Sequence, residues 1–411
     1  MPGARFGLGR PGAETMTSLS TALIHHPYRP PQGFDAVAPG VHKASTVIFP
    51  SVHALRTQEW KDKSGYTYGL HGTPTTFTLE ERIAALEGGR YCVLAPSGLS
   101  AVSLVDMAFL QQGDELLIPD NAYGPNKAFA GVELKRWGIN HRFYNPLDPA
   151  DLAAQITAST RLVWLEAPGS ITLEFPDLPA LTAVVNSANR DRARPILTAL
   201  DNTWGAGIAF NGFDLGADVV MQALTKYPSG GADVLMGSVV TRDEALHQQL
   251  LMTHMRLGLG VSGNDAELVL RGLQTIGLRY AAQDAATREL ATWMQDQPGV
   301  AQVLHPALSS APGHVTWQRD ACAAGCLFSV VFDPRLSPPQ IDAFCDSLRL
   351  FKLGWSWAGP ISLCAPYDVP AIRTQAWPHQ GGLVRFAVGL ESVDDLRQDL
   401  QQALQQLNNG S

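Results

Sequence analysis

Ile196-Leu197-Thr198-Ala199-Leu200-Asp201-Asn202-Thr203-Trp204 is the stretch on which the reading of this chain turns. A strand-length apolar run that ends on an acid puts that acid at the carboxyl edge of a sheet, where open parallel sheets place their ligands. Alone, an acid such as Asp201 is more often an N-cap or turn residue. Its weight comes from a second run, Val219-Val220-Met221-Gln222-Ala223-Leu224-Thr225, which ends on Lys226 and then turns at Tyr227-Pro228-Ser229-Gly230-Gly231. Lysines mostly occupy solvated faces, so one emerging from a buried strand end is unusual. An amine in that position can condense with a carbonyl.

Outward from these runs, helical and strand periods alternate. Thr78-Leu79-Glu80-Glu81 predicts the capped start of a helix with Leu79, Ile83 and Leu86 on one face, stopped by Gly88-Gly89. Tyr91-Cys92-Val93-Leu94 reads as a buried strand that breaks at Pro96-Ser97-Gly98 into an apolar helix ending near Leu110. Further strands are expected at 116–118, 162–165 and 238–241, with helical sequence at 178–189. Short apolar runs separated by helices predict an α/β fold with a mostly parallel sheet covered on both faces. Past Gly272 the pattern changes to a smaller α+β unit. It has strands at 327–332 and 384–388, a helix at 341–350, and a last helix with Leu396, Leu400, Leu404 and Leu407 on one stripe. The chain therefore divides into an extension and arm (1–71), a large α/β domain (72–271) and a smaller α+β domain (272–411).

The 411 residues are 45% hydrophobic and 17% charged, which fits a well-packed globular chain. A net charge of -8 supplies no basic face for nucleic acid or an anionic membrane. No window reaches the roughly 18 apolar residues of a spanning helix. Five cysteines, an odd count scattered through apolar stretches, predict reduced and mostly buried thiols; the spacing of Cys322 and Cys326 is wrong for zinc. Residues 1–15 are rich in Gly and Pro and lack the apolar core of a secretory signal. They read as a floppy extension, and the protein as cytoplasmic.

Asp201 and Lys226 together suggest pyridoxal phosphate, whose ring becomes an electron sink when a carboxylate keeps its nitrogen protonated. Ser97-Gly98-Leu99-Ser100, at a strand-to-helix turn, offers backbone donors for the phosphate, and Thr225 could add a hydroxyl. An ordinary glycine turn explains that stretch equally well. Tyr123, after a strand end, could stack on an aromatic ring or simply pack. Arg385 lies amid apolar neighbours in Leu383-Val384-Arg385-Phe386-Ala387 and needs a partner, either a substrate carboxylate or a structural ion pair.

Taken together, these stretches resemble the Cys/Met-metabolism family of pyridoxal-phosphate enzymes, in particular its bacterial β-lyase branch, from about Ser45 to Leu407. The resemblance rests on Asp201-Asn202-Thr203-Trp204, Thr225-Lys226-Tyr227 and Asp233-Val234-Leu235-Met236-Gly237. It rests also on Glu166-Ala167-Pro168-Gly169-Ser170, where γ-elimination relatives usually read Glu-Ser-Pro-x-Asn-Pro. It implies a fold-type I, transferase-like architecture with a mostly parallel seven-stranded sheet. Lys226 would carry pyridoxal 5'-phosphate, Asp201 would face its ring nitrogen, and Tyr123 would stack on the ring. Gly98, Leu99 and Thr225 would hold the phosphate, while Ser356, Trp357 and Arg385 match positions that hold the substrate α-carboxylate. A homotetramer of dimers is implied, with active sites shared across the dimer interface and Tyr68 lent to the neighbouring site. The activity implied is β-elimination of an amino-acid thioether, L-cystathionine, to homocysteine, pyruvate and ammonia in methionine biosynthesis.

Two departures stand out. Tyr68-Gly69-Leu70-His71 has Leu where the family usually has an Arg that grips the phosphate, and Gly231-Ala232 replaces a common His-Ser. Losing one charge-assisted bond is worth about 1.5–3 kcal/mol unless His71 or another cation compensates. Competing readings are a γ-lyase, γ-synthase or acylhomoserine sulfhydrylase on the same scaffold, and a non-catalytic regulator that keeps the fold. A nicotinamide dehydrogenase falls, because no Gly-x-Gly-x-x-Gly opens the first strand–helix turn.

Overall fold

A computed structural model describes residues 5–7, 16–18, 33 and 36–409. Arg5–Gly7 and Met16–Ser18 pair as an antiparallel ribbon; the rest of the extension expected at 1–15 lies outside the described residues. Val41–Ser411 is a separate compact unit. No described helix is long and apolar enough to cross a membrane.

The larger sheet of that unit has seven strands: β1 (Tyr91–Ala95), β2 (Glu115–Pro119), β3 (Asn140–Tyr144), β4 (Thr160–Glu166), β5 (Leu197–Asp201), β6 (Val219–Ala223) and β7 (Gly237–Thr241). Their order is β1-β7-β6-β5-β4-β2-β3, parallel except for β7, which runs antiparallel to both neighbours. Apart from the edge strand β3, the strands are buried along most of their length, so their apolar runs are nearly continuous. Ala199, Val219 and Met221 face one core, whereas Leu200 and Val220 face the other. Helix α1 (Pro74–Glu87) packs Leu79 and Ile83 on the second of these faces, and α2 (Gly98–Phe109) buries Val102 and Val105 on the first.

The helix expected to open at Thr78 begins earlier. Thr73 accepts from Thr76 N–H, and the Thr76 hydroxyl receives the Thr73 N–H in return, with Pro74 at the first position. Two threonines thus do what the Glu of the anticipated capping box would do. β3 was not anticipated: its Asn-His-Arg-Phe-Tyr sequence is polar because the strand forms the sheet edge.

A second sheet holds β8 (Val300–Leu304), β9 (Leu327–Phe332), β10 (Lys352–Leu353), β11 (Leu363–Tyr367) and β12 (Leu383–Ala387), in the order β8-β9-β12-β11-β10. All neighbours are antiparallel except the short β10/β11 pair. β8, β10 and β11 are additions to the two strands legible in sequence. The final helix, Val393–Asn409, buries Leu396, Leu400, Leu404 and Leu407 against this sheet. All five cysteines are free; four are buried and Cys322 is exposed.

Residues 41–71 lie along the larger unit with much apolar surface uncovered. Gly69 N–H reaches the Ser45 carbonyl at 2.8 Å and Thr46 bridges Tyr68. Ile48, Val52 and Leu55 are all exposed.

Phe386, fully buried in β12, stacks on Phe328 at 5.0 Å and meets Phe344 and Phe351 edge-on. Phe386→Ala is expected to lower the unfolding free energy by about 3–5 kcal/mol, read as a lower urea midpoint.

Candidate active site

The carboxyl ends of β5 and β6, the N-terminus of α2 and loops from the second sheet enclose a cavity of about 560 Å³. Of the residues singled out in sequence, Gly98, Leu99, Tyr123, Asp201, Thr225, Lys226, Ser356, Trp357 and Arg385 all line it. Tyr68 does not; it is 46% exposed and lies edge-on to His71. His71 stacks on Trp60 at 4.1 Å and shares a 2.8 Å hydrogen bond with the Thr67 hydroxyl, so within its own chain it does not stand in for the missing Arg at Leu70.

Lys226 follows β6 by three residues, and its turn is fixed by Arg279, which donates to the Tyr227 and Gly272 carbonyls at 2.8 Å. The Lys226 amine donates to Ser356 Oγ at 2.7 Å and lies 5.1 Å from the Trp357 ring centroid. Burial, reinforced by the nearby charge of Arg385, pulls its pKa down to about 8. A far larger fraction of the amine is therefore neutral and nucleophilic near physiological pH than for a solvated lysine, although the protonated form still prevails.

Asp201 is gripped on one oxygen only. Thr203 donates to Oδ1 through its N–H at 2.9 Å and its hydroxyl at 2.5 Å, and that hydroxyl in turn receives the Ala223 N–H. No hydrogen bond among the described residues reaches Oδ2. Burial raises the carboxyl pKa, and the Thr203 hydrogen bonds only partly offset this. A half-buried acid whose second oxygen is unpartnered and opens onto the cavity is suited to receive a cationic N–H.

Arg385 is 5% exposed, yet it has no carboxylate partner among the described residues. Its guanidinium donates to the Ser170 and Trp355 carbonyls, both at 3.2 Å, and lies over Tyr367. Burial pulls its pKa below the usual guanidinium range. The structural ion pair considered from sequence is therefore absent, and a carboxylate is the missing complement. The other arginine lining the cavity, Arg373, is already paired with Glu174 at 2.6 Å.

Tyr123 precedes a short helix, Gly124–Phe129, and is oriented by its N–H, which donates to Glu166 Oε2 at 2.8 Å. Thr225 exchanges its hydroxyl with Met236, accepting from the N–H and donating to the carbonyl, so it would have to turn to serve a phosphate. Sequence reasoning passed over Thr203, Ser170, Trp355 and Tyr367. Thr203 carried a signal, since a Thr two residues after an Asp is placed to donate to it; the others come from loops that only folding brings together.

The pyridoxal phosphate implied by the sequence can be tested against these groups. The Gly98 and Leu99 N–H groups at the start of α2 have no partner among the described residues, as a bound phosphate requires. A Cβ at Gly98 would come within 2.7 Å of the Ala223 Cβ, so glycine is what lets the helix terminus approach β6. An available amine, a half-satisfied acid, orphan donors and an unpaired guanidinium fit the cofactor and an amino-acid carboxylate.

The family model described as Cys/Met metabolism PLP-dependent enzyme matches residues 20–405. A cystathionine beta-lyase of Bordetella avium is 39% identical over 405 residues, covering 95% of this chain and 99% of that protein. One of Escherichia coli is 36% identical over 387 residues, covering 93% of this chain and 97% of that protein. Among solved structures, a cystathionine gamma synthase of Xanthomonas oryzae pv. oryzae, in complex with aminoacrylate and cysteine, superposes with a TM-score of 0.83. It is 32% identical and covers 91% of this chain and 94% of that one.

In cofactor-free protein, the Lys226 amine is expected to lose its proton as pH rises through about 8. Uptake of added pyridoxal phosphate, followed by the growth of its visible band, should therefore accelerate across that range and level off above it. Borohydride should then fix the label on residue 226.

Proposed function

We propose that this chain, which belongs to the Cys/Met metabolism PLP-dependent enzymes, is the carbon–sulfur lyase among them that cleaves L-cystathionine by β-elimination. The family's cofactor is pyridoxal 5'-phosphate. When bound, it supplies an aldehyde that joins an amine and a cationic ring that accepts the electron pair left at Cα. The observation carrying the reading is the unpaired, buried Arg385 close to a lysine whose pKa is lowered to about 8.

The chain's residues divide the work as follows. Lys226 would hold the cofactor through its amine and would serve as general base for the Cα proton of a bound substrate. Ser356, within 2.7 Å of the lysine amine, aims it. Asp201 would keep the ring nitrogen protonated, and Tyr123 would cover the ring. Gly98, Leu99 and Thr225 receive the phosphate. Arg385, with Ser356 and Trp357 beside it, would clamp the α-carboxylate and so fix the orientation of the Cα–H bond. The Cβ–S bond then breaks and the thiolate leaves; with one water the products are homocysteine, pyruvate and ammonia. In this reading residues 72–271 carry the cofactor and 272–411 carry the carboxylate clamp. The assembly is a cytoplasmic homotetramer in which Tyr68 completes a neighbouring site; the exposed apolar surface along residues 41–71 supports such contacts.

Among β- and γ-reactions, Gly169-Ser170 favours β-elimination. The second reading is a γ-reaction, supported by the close superposition on a gamma synthase. The keto acid released from cystathionine decides between them: pyruvate is expected, and 2-oxobutyrate would replace the β-reading with the γ one. Lys226→Ala should abolish turnover; release of pyruvate at an undiminished rate would remove Lys226 from the mechanism. Arg385→Lys, which cannot offer a planar fork, should raise KM about 10- to 100-fold, measured by steady-state kinetics.

A further inference from the structure

Glu87 is a fully buried acid that none of the chemistry above uses. It is the last residue of α1, on the face of the sheet opposite the cavity. Its Oε2 accepts from Asn202 Nδ2 at 2.8 Å and its Oε1 from Gln222 Nε2 at 2.6 Å. Those amides belong to the residue that follows Asp201 and the residue that precedes Ala223. One carboxyl therefore ties the carboxyl ends of β5 and β6 together from behind. The same two ends are joined on the main chain by Asn202 N–H to the Met221 carbonyl at 2.8 Å, and through Thr203, whose hydroxyl links Ala223 N–H to Asp201.

The protonation state of Glu87 follows from its surroundings. Burial pushes its pKa up to about 8, and the Asp201 charge adds to the rise, so at neutral pH the acid is mostly protonated. The amide oxygens of Asn202 and Gln222 are both buried and without a hydrogen-bond partner. A protonated carboxyl has one O–H to donate, and either amide, turned through 180°, would present an oxygen to receive it. The cluster thus accommodates the neutral acid through an amide rotation with no backbone movement.

We propose that Glu87 is a positioning residue for Asp201: its carboxyl, bonded to the Asn202 and Gln222 amides, locks the ends of β5 and β6 together from the far face and so fixes the carboxylate that meets the ring nitrogen. The proposal rests on the reading of Asp201 as the ring-nitrogen partner. It explains why an ionisable residue occupies a dry site behind the cavity, where an unpaired charge would be costly.

The test measures pyridoxal phosphate affinity by absorbance titration and the visible circular dichroism of the bound cofactor, with far-ultraviolet dichroism reporting the fold. Glu87→Gln, neutral and able both to donate and to accept, should stay within about twofold of wild-type affinity and keep the visible dichroism. Glu87→Leu, which severs both links, should bind at least about tenfold more weakly with a reduced visible signal. Wild-type affinity and dichroism in Glu87→Leu would overturn the proposal, as would a Glu87→Gln as impaired as the leucine variant. Should Glu87→Leu not fold, Gln222→Met cuts one link and leaves the acid in place. It should show a weaker form of the same loss, and unchanged binding there would be equally fatal. Asp201→Asn tests the underlying reading separately: wild-type affinity and dichroism in that variant would remove Asp201 from the ring nitrogen whatever the Glu87 variants do.

Discussion

Two basic side chains, Lys226 and Arg385, line one cavity with no carboxylate paired to either among the described residues, and much of the site follows from that imbalance. Arg385 cannot shed its proton at any ordinary pH, so its burial among carbonyls and an aromatic face keeps a full charge in a low-dielectric setting. Lys226 can shed its proton, and the Arg385 charge helps it do so. One residue thereby waits for an anion and makes its neighbour a nucleophile. Asp201, which lines the same cavity, is turned toward Thr203 and makes no hydrogen bond to either cation.

The sheet exists to bring these groups to one edge. Parallel strands buried on both faces end together at their carboxyl termini, and Asp201 and Lys226 sit at or just past the ends of adjacent strands. Ala223 and Gly98 meet where the helix terminus approaches β6, so the donors of α2 face the same space. The second sheet contributes Arg385 from the middle of β12, while Ser356 and Trp357 come from the loop between β10 and β11.

The strands that carry the chemistry were legible because an apolar run interrupted by an acid or a lysine has few ordinary explanations. Of the edge strands, β1 was legible from its apolar run, whereas β3 is polar and β10 is two residues long, so neither of these has the alternation or the apolar length that marks a buried strand. The start of α1 was misplaced by five residues because a Thr–Thr reciprocal cap looks like any other threonine-rich stretch. At the site, residues near the strand ends could be singled out from their neighbours in the chain. Ser170, Trp355 and Tyr367 could not, since their place beside Arg385 is set by contacts far apart in sequence. The question of whether Arg385 serves a structural ion pair was open on spacing alone, and only the folded surroundings answered it.

The two carbonyls bonded to Arg385 give its anion site an exchange character. Ser170 belongs to the loop after β4 and Trp355 to the loop after β10, so the guanidinium already bridges segments on either side of the cavity. An arriving carboxylate competes for the same N–H groups, and the net free energy of capture is the difference between charge-assisted bonds formed and neutral bonds surrendered. A neutral amide offers no such surplus. Discrimination for an ionised acid over its uncharged analogue is thus set partly by what the arginine must give up.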